Sequence, residues 1–187
     1  MKATSKVDSL QPEKSINISL ANEIKANEKY SIEVCDNGGL LERPLTLKQN
    51  PNEEENNYKT YKALANTGKK YRLLPVVNIK HVKNPDAKNL ETGHFSDAKH
   101  PTTANGRSVI ERSVSSAYKQ DVDEIVIRLS KTYPRKEIQL GIYNTLTDKQ
   151  YYNIKTLIII YVDFTIREID ADKFREAIKT TKGKPVS

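Results

Sequence analysis

The sequence predicts an α/β protein in which a mixed β-sheet is flanked by helices. Two short runs, DEIVIRL at 123–129 and TLIIIYVDF at 156–164, have the length and the branched apolar composition of buried strands. Segments with helical periodicity alternate with these strands along most of the chain. Because helices that alternate with strands pack on the faces of a sheet, this order favours a layered α/β fold (α+β when the strands are mixed).

The first 50 residues differ from the rest and are predicted to form an N-terminal arm or a small β-rich extension. Residues 1–15 are polar and lack periodicity, so we expect a flexible arm or a linker. INISLANEIK at 16–25 and KYSIEVC at 29–35 alternate apolar and polar residues and are predicted to be strands. A turn is expected at 36–39, where the sequence reads Asp-Asn-Gly-Gly.

A change of character at Asn50-Pro51 marks the predicted start of an α/β domain over residues 51–187. The segment that follows has acidic residues at its start and Gly68 at its end, which is typical of a helix. The apolar run YRLLPVVNIKHV at 71–82 is predicted to be extended. A hairpin with its turn at 90–93 comes next, and its second arm is HFSDAKH.

Three further helices are predicted in the second half of the chain. Residues 105–120 have apolar side chains at helical spacing, with Asn105 as the capping residue. The segment 134–146 lies between the two buried strands and is predicted to be helical. Asp170 is expected to cap a last helix over 171–181.

The composition favours an anionic partner and excludes several kinds of protein. The 187 residues carry a net charge of +7 and a pI near 9.3, and nucleic acid is the commonest partner of clustered Lys and Arg. A single cysteine, Cys35, excludes an internal disulfide and a site built from several thiolates. The longest apolar run, 156–162, is too short to span a membrane, and residues 1–15 lack the apolar core of a secretory signal. We therefore expect a cytoplasmic protein.

Asp86 and the triplet Asp97-Ala98-Lys99 are the residues that best suit phosphodiester hydrolysis. A metal-dependent nuclease needs carboxylates that converge on Mg²⁺ or Mn²⁺ and a lysine that orients or deprotonates water. In a strand, Asp97 and Lys99 point to the same face, and Asp86 can approach from the preceding turn. Acid-x-Lys triplets also occur by chance in so charged a chain, and two others are present, at 23–25 and 86–88. The triplet at 97–99 is distinguished by its position between an acidic and a basic helix.

Several short motifs follow one another between residues 52 and 130: KALANTGKKYRLLPV, PDA, DAKHP, SSAYKQ and DEIVIRL. In this order they resemble the core of the PD-(D/E)XK nucleases, in particular the C-terminal nuclease domains of contact-dependent growth inhibition toxins and related phage and mobile-element proteins. The resemblance covers under half of the chain. It departs from the family at Asp97, where such toxins often have Glu, and in the hairpin, which lacks an Asn-Gly-Lys turn.

This resemblance implies a restriction-endonuclease-like core and a toxin-type ribonuclease that acts on tRNA or another RNA, with DNA as the alternative substrate. It makes Asp86 and Asp97 ligands of Mg²⁺ or Mn²⁺ and Lys99 the group that orients water. It also implies a cognate immunity protein as a partner. A further metal ligand comes from the acidic helix and is one of Glu53, Glu54 and Glu55. We take the middle residue, Glu54, as the candidate.

A metal-independent ribonuclease that cleaves RNA through its 2′-OH is the second hypothesis. Such chemistry needs a general base, a general acid and cations for the developing charge. The candidates in the same stretch are His94, Lys99, His100, Thr102, Thr103 and Arg107. Of these, His100 is taken as the catalytic one; the third histidine of the chain, His81, also lies within twenty residues of it.

The predicted helix over 105–120 is the candidate nucleic-acid-binding element. Its polar face carries Arg107, Arg112 and Lys119, and Thr102 and Thr103 come just before it. These side chains can contact a phosphate backbone, although such a face is often only solvated. A third hypothesis is a catalytically silent module that keeps a nuclease-like fold to bind nucleic acid or protein.

Overall fold

The computed structural model describes residues 10–46, 50–80, 82–103 and 105–182. The helices are α1 (Leu10–Ala26), α2 (Pro51–Ala65), α3 (Gly106–Tyr118), α4 (Arg135–Thr147) and α5 (Ala171–Lys182). The strands are β1 (Tyr30–Val34), β2 (Leu40–Pro44), β3 (Lys70–Leu73), β4 (Ala87–Asn89), β5 (Phe95–Lys99), β6 (Glu124–Arg128), β7 (Thr156–Ile160) and β8 (Ile166–Asp170). A 3₁₀ turn over Lys149–Tyr151 follows α4.

The strands form one mixed sheet in which their spatial order equals their order along the chain. The pairs β2–β3, β5–β6 and β6–β7 are parallel, and the other neighbouring pairs are antiparallel. The parallel steps from β5 to β7 are connected through α3 and α4. The prediction of a mixed sheet flanked by helices is confirmed.

Each face of the sheet has its own apolar core. Successive residues of a strand point to opposite faces, so Ile125 and Ile127 join the core beneath α3, α4 and α5, whereas Val126 joins the core beneath α2. Tyr61 and Leu64 of α2 are fully buried in this second core. The two cores therefore hold helices on both faces of the sheet.

Local capping signals in the sequence explain where several helices begin. The Asn50 side chain accepts a 3.0 Å hydrogen bond from the amide of Glu53 at the start of α2, and Asn105 does the same for Ser108 in α3. Asp170 accepts one from the amide of Lys173 in α5. The caps at Asn105 and Asp170 confirm the sequence predictions. The C-cap of α2, however, is Asn66 and not Gly68.

The strand predicted at 16–25 is wrong, because these residues lie in α1. A short run of alternating apolar residues fits a helix as well as a strand when no partner strand is known. Ala21 is the buried contact of α1, and the side chain of Asn17 donates to the carbonyl of Lys80. Of the predicted flexible arm, residues 10–15 are helical and residues 1–9 lie outside the described residues.

Two strands were not predicted, and two predicted strands are shorter in the structure. β2 and β8 were missed because both carry charged residues along much of their length. The extended run from residue 71 is a strand only as far as Leu73, and the run from 156 only as far as Ile160. β1 and β2 continue the same sheet as the later strands, and a domain boundary at residue 50 stays a prediction.

Helices α3 and α4 pack closely against each other because a glycine lies at their contact. A Cβ at Gly141 would lie 2.8 Å from the carbonyl oxygen of Arg107 and 2.8 Å from the Cβ of Ile110. α3 precedes the parallel strand β6, and α4 follows it. Their contact therefore fixes the position of the loops at the ends of the parallel strands. No helix in the described ranges is long and apolar enough to cross a membrane.

Candidate active site

The antiparallel pair of β4 and β5 brings Asp86 and Asp97 together. Ala87 lies opposite Ser96 in this pair. Asp86 precedes Ala87 and Asp97 follows Ser96, so the two aspartates come opposite each other. Opposite residues of an antiparallel pair share one face of the sheet. Both side chains are nearly buried, with 6% of Asp86 and 3% of Asp97 exposed. The prediction that a hairpin would bring these two residues close is confirmed.

Lys99 and a backbone amide supply positive charge beside the two carboxylates. The Lys99 ammonium forms an ion pair with Oδ2 of Asp97. Oδ2 of Asp86 accepts a 2.7 Å hydrogen bond from the backbone amide of Ala98, the middle residue of the triplet. The triplet at 97–99 thus contacts Asp86 through the backbone amide of its middle residue, and its lysine pairs with its own aspartate. All three sequence-predicted residues belong to one cluster.

Crowding of negative charge in this buried cluster perturbs both carboxyl groups. Burial raises the pKa of Asp86 to about 7, and the negative charges of Asp97 and Glu53 add to the rise. The pKa of Asp97 is also raised by burial, and Glu53 adds to this while Lys99 opposes it. A cluster in which acids outnumber cations favours the binding of a proton or of another cation.

Of the three glutamates at the start of α2, Glu53 is the one that acts on this cluster. Its charge affects both aspartates, and its own Oε2 accepts a 2.7 Å hydrogen bond from the Asn50 side chain. Glu54 pairs with Arg43 at 3.2 Å, and Glu55 with Lys59 at 2.6 Å. The charge effect on both aspartates therefore favours Glu53 over Glu54, the residue predicted from the sequence.

The donor set of the cluster fits a hard divalent cation. Mg²⁺ is commonly bound through one or two carboxylates together with substrate phosphates, without a cage of protein ligands. Asp86 and Asp97 supply two such carboxylates in a site with excess negative charge. Among the described residues, no group of three or more His, Cys, Asp or Glu side chains has the geometry to hold a metal ion. The protein could therefore provide two ligands.

His100 belongs to a second polar cluster, on the side of α2. Its Nε2 lies 2.7 Å from Oγ1 of Thr60, which also accepts a 3.0 Å hydrogen bond from Nε of Arg128. Arg128 donates a further hydrogen bond to the Asn56 side chain at 2.8 Å. Burial and the charges of Arg128 and Lys99 lower the pKa of His100 to about 4. At neutral pH this imidazole is uncharged and tied to α2.

His94 does not join His100. His94 precedes β5 and His100 follows it, so the two lie at opposite ends of a five-residue strand. With about 3.3 Å of rise per residue, they are on the order of 20 Å apart along the strand. His81 lies outside the described residues. A pair of histidines sharing acid and base roles is therefore not formed by His94 and His100.

The predicted nucleic-acid-binding residues are spread along α3 and the segment before it. Arg107 is exposed and pairs with Glu111 within the helix at 2.7 Å, and Thr102, Arg112 and Lys119 are exposed. The carbonyl of Thr103 accepts a 2.7 Å hydrogen bond from the Tyr133 hydroxyl. Thr102 and Arg107 lie near the end of β5 that carries Lys99, whereas Lys119 lies at the far end of α3.

Arg128 was missed by the sequence analysis. It is the last residue of the buried strand β6, where an arginine after the run EIVI is an unusual neighbour for a core. A charged residue at the end of a buried strand was the signal that the sequence offered for Arg128. The partners of Arg128 come from α2, more than 60 residues away in the sequence. Sequence order alone did not connect them.

No protein-family model and no curated protein matches this chain. Among solved structures, a chain of the "CdiA-CT/CdiI toxin and immunity complex from Burkholderia pseudomallei" is similar, with a TM-score of 0.51 and 19% sequence identity. The match covers 68% of this chain and 98% of that chain. At this identity the likeness shows a common fold. The mixed sheet with helices on both faces thus has a counterpart in a toxin–immunity complex.

Proposed function

We propose that the protein is a metal-dependent ribonuclease of the toxin type, with tRNA as the substrate class and an immunity protein as its partner. The observation that carries the proposal is the meeting of Asp86, Asp97 and Lys99 across β4 and β5. The fold shared with a chain of a toxin–immunity complex supports the toxin class. The PD-(D/E)XK resemblance of the motifs supports phosphodiester cleavage.

In this proposal, Asp86 and Asp97 would hold a divalent cation, and Glu53 is the further carboxylate whose charge acts on both of them. A bound Mg²⁺ or Mn²⁺ supplies a Lewis acid that stabilises negative charge on the phosphate and lowers the pKa of water. Glu53 is exposed, so it can act on groups that enter from solvent. The backbone amide of Ala98 keeps the Asp86 carboxylate in place.

Lys99 has the role of orienting the attacking water. Its ammonium is held beside Asp97 and remains a quarter exposed, so that it faces both the buried carboxylate and solvent. A lysine so placed can hold a water molecule by hydrogen bonding and can stabilise charge on a phosphate oxygen. Lys99 would do both without moving away from Asp97.

A cleavage assay tests the proposal. Purified protein is incubated with total tRNA and, separately, with plasmid DNA, in Mg²⁺ and in EDTA. We expect RNA cleavage that needs the metal and that is lost in Asp97→Asn. Inhibition of this cleavage by a small acidic protein encoded beside the chain would support the toxin–immunity class.

The alternatives give different results in the same assay. Cleavage that survives EDTA would contradict the metal mechanism and support the metal-independent ribonuclease. Binding of RNA without any cleavage would support the catalytically silent module. A metal-independent mechanism with His100 as the general base is disfavoured by the pKa of about 4 of this residue, because a base with so low a pKa removes protons weakly at pH 7.

A further inference from the structure

A cavity of about 800 Å³ lies at the end of the sheet where β6 and β7 end. It is bounded by the loop that follows β6, by the start of α4, and by the turn between β7 and β8. Tyr133 and Tyr161 contribute aromatic surface to its wall. We call it the α4 groove.

The α4 groove is positively charged. Lys131, Arg135 and Arg167 line it, and Asp163 is the acidic residue of the lining. Within the described ranges, none of the three cations forms an ion pair with a carboxylate, and Lys131 instead lies 5.4 Å from the ring centre of Tyr133. Asp163 accepts a 3.0 Å hydrogen bond from the amide of Thr165 in its own turn. The groove thus has cations that are free to meet an anionic ligand.

The groove and Lys99 lie at the same edge of the sheet. β5, β6 and β7 are parallel, so the end of β5 at Lys99 and the ends of β6 and β7 that lead into the groove point the same way. Neighbouring strands are about 4.8 Å apart, which places the end of β7 about 10 Å from that of β5. A single extended ligand could contact both places.

Hydrogen bonds join the loops between the two places. The hydroxyl of Ser130 donates to the carbonyl of Pro101 at 3.1 Å, and that of Tyr133 donates to the carbonyl of Thr103 at 2.7 Å. Pro101 and Thr103 follow Lys99 in the chain, whereas Tyr133 lines the groove. The surface from Lys99 to the groove is therefore held together by the protein itself.

We propose that the α4 groove binds the phosphate backbone of the RNA strand next to the nucleotide that is cleaved, with Lys131, Arg135 and Arg167 as the phosphate-contacting residues. This inference rests on the proposed function and adds the substrate-binding surface to it. Cations beside the partly exposed ring of Tyr161 suit single-stranded RNA, whose bases can stack while its phosphates pair with Lys and Arg. An acidic protein is the other ligand that could fit, and the experiment below separates the two.

The test compares two double variants with equal loss of charge. Lys131→Ala/Arg135→Ala removes the two exposed groove cations, and Arg167 is left intact because it is half-buried. Lys70→Ala/Lys149→Ala is the matched control, since both lysines are exposed and lie at the start of β3 and after α4, away from the groove. Thermal melting checks that both variants fold.

Binding of a fluorescein-labelled single-stranded RNA is measured by anisotropy in EDTA, at several salt concentrations. We expect the groove variant to bind about tenfold more weakly at low salt, and the control to change less than about threefold. The slope of log K against log salt should become shallower by about 1.4 in the groove variant, because two phosphate contacts are lost at about 0.7 each.

Equal weakening in the two variants would overturn the inference, since net charge alone would explain it. Binding of RNA that is unchanged in the groove variant, together with weaker binding of poly-L-glutamate, would also overturn it and would assign the groove to an acidic protein. Because EDTA prevents metal-dependent cleavage, these results do not depend on catalysis. A protein that binds RNA through the groove but never cleaves it would contradict the proposed function alone.

Discussion

The Asp86 carboxylate accepts a 2.7 Å hydrogen bond from the backbone amide of Ala98, which lies between Asp97 and Lys99. Asp86, in the turn before β4, is thereby held against the middle residue of the acid-x-Lys triplet in β5. The contact places two acids and a lysine within one buried cluster. Five predictions follow from this cluster, from the second cluster at His100 and from the packing of the helices.

Lys99→Ala should lower the rate of RNA cleavage by about 100-fold or more, because it removes the cation that faces both Asp97 and solvent. Lys88→Ala is the matched control, since Lys88 ends the other acid-x-Lys triplet of the same hairpin and lies opposite Phe95. Single-turnover cleavage of tRNA measures both. Equal losses in the two variants would argue against a special role for Lys99.

Asp86→Asn should make the protein more stable at pH 8. The pKa of Asp86 rises from an unfolded value near 3.9 to about 7 in the fold. Its stabilising contribution is therefore complete below about pH 3.9 and is lost as the pH rises through 7. Asparagine stays neutral at every pH and keeps an oxygen for the amide of Ala98. We expect its melting temperature to exceed that of the wild type at pH 8 in EDTA.

The same melting experiment reports on metal binding without any activity assay. Mg²⁺ should raise the melting temperature of the wild type at pH 8 and have a smaller effect on Asp86→Asn, because a ligand that binds only the folded state stabilises it. Asp36→Asn, an exposed position in the turn after β1, is the control and should behave as the wild type. A wild type and an Asp86 variant with parallel pH curves would contradict the raised pKa.

His100 should stay neutral down to acidic pH. Burial and two nearby cations lower its pKa to about 4, against an unfolded value near 6.5. The contribution of His100 to stability is thus present above about pH 6.5 and is lost as the pH falls through 4. In proton NMR, the ring signal that disappears in His100→Asn should not titrate between pH 5 and 8. A midpoint near 6.5 for that signal would show that the imidazole is not buried beside Arg128 and Lys99.

Gly141→Ala should destabilise the protein by about 1–3 kcal/mol, because its Cβ would lie 2.8 Å from both a backbone oxygen and a Cβ of α3. Leu140→Ala, at the neighbouring and largely exposed position of α4, should cost less. Urea denaturation of both variants gives the free energies of unfolding. A Gly141 variant as stable as the Leu140 variant would mean that α3 and α4 can move apart freely.

Much of the site could be anticipated from local sequence. The hairpin around 90–93 and the helix capped by Asn105 follow from turn and capping residues that act within a few positions. A period of two in β5 puts Asp97 and Lys99 on one face. These relationships involve neighbours in the chain, so the sequence contains all the information that they need.

Other parts depend on contacts between distant segments. The charge of Glu53, rather than that of Glu54, acts on the aspartates, while Glu54 pairs with Arg43. The helix at 10–26 replaced a predicted strand, since alternating apolar residues suit either element. β8 carries charged residues and was recognisable only by its pairing with β7.

The chain alone was sufficient to identify the α/β class, most helices, the buried strands and the triplet at 97–99. Helix caps, turns and apolar periodicity are short-range properties, and they appear directly in the order of residues. The packing of the sheet decided which residues meet: it joined Asp86 to Ala98, His100 to Thr60, and Arg167 to Lys131 and Arg135 in the α4 groove. Burial and charge at these contacts set the pKa values of Asp86 and His100, and no local sequence pattern predicts these values.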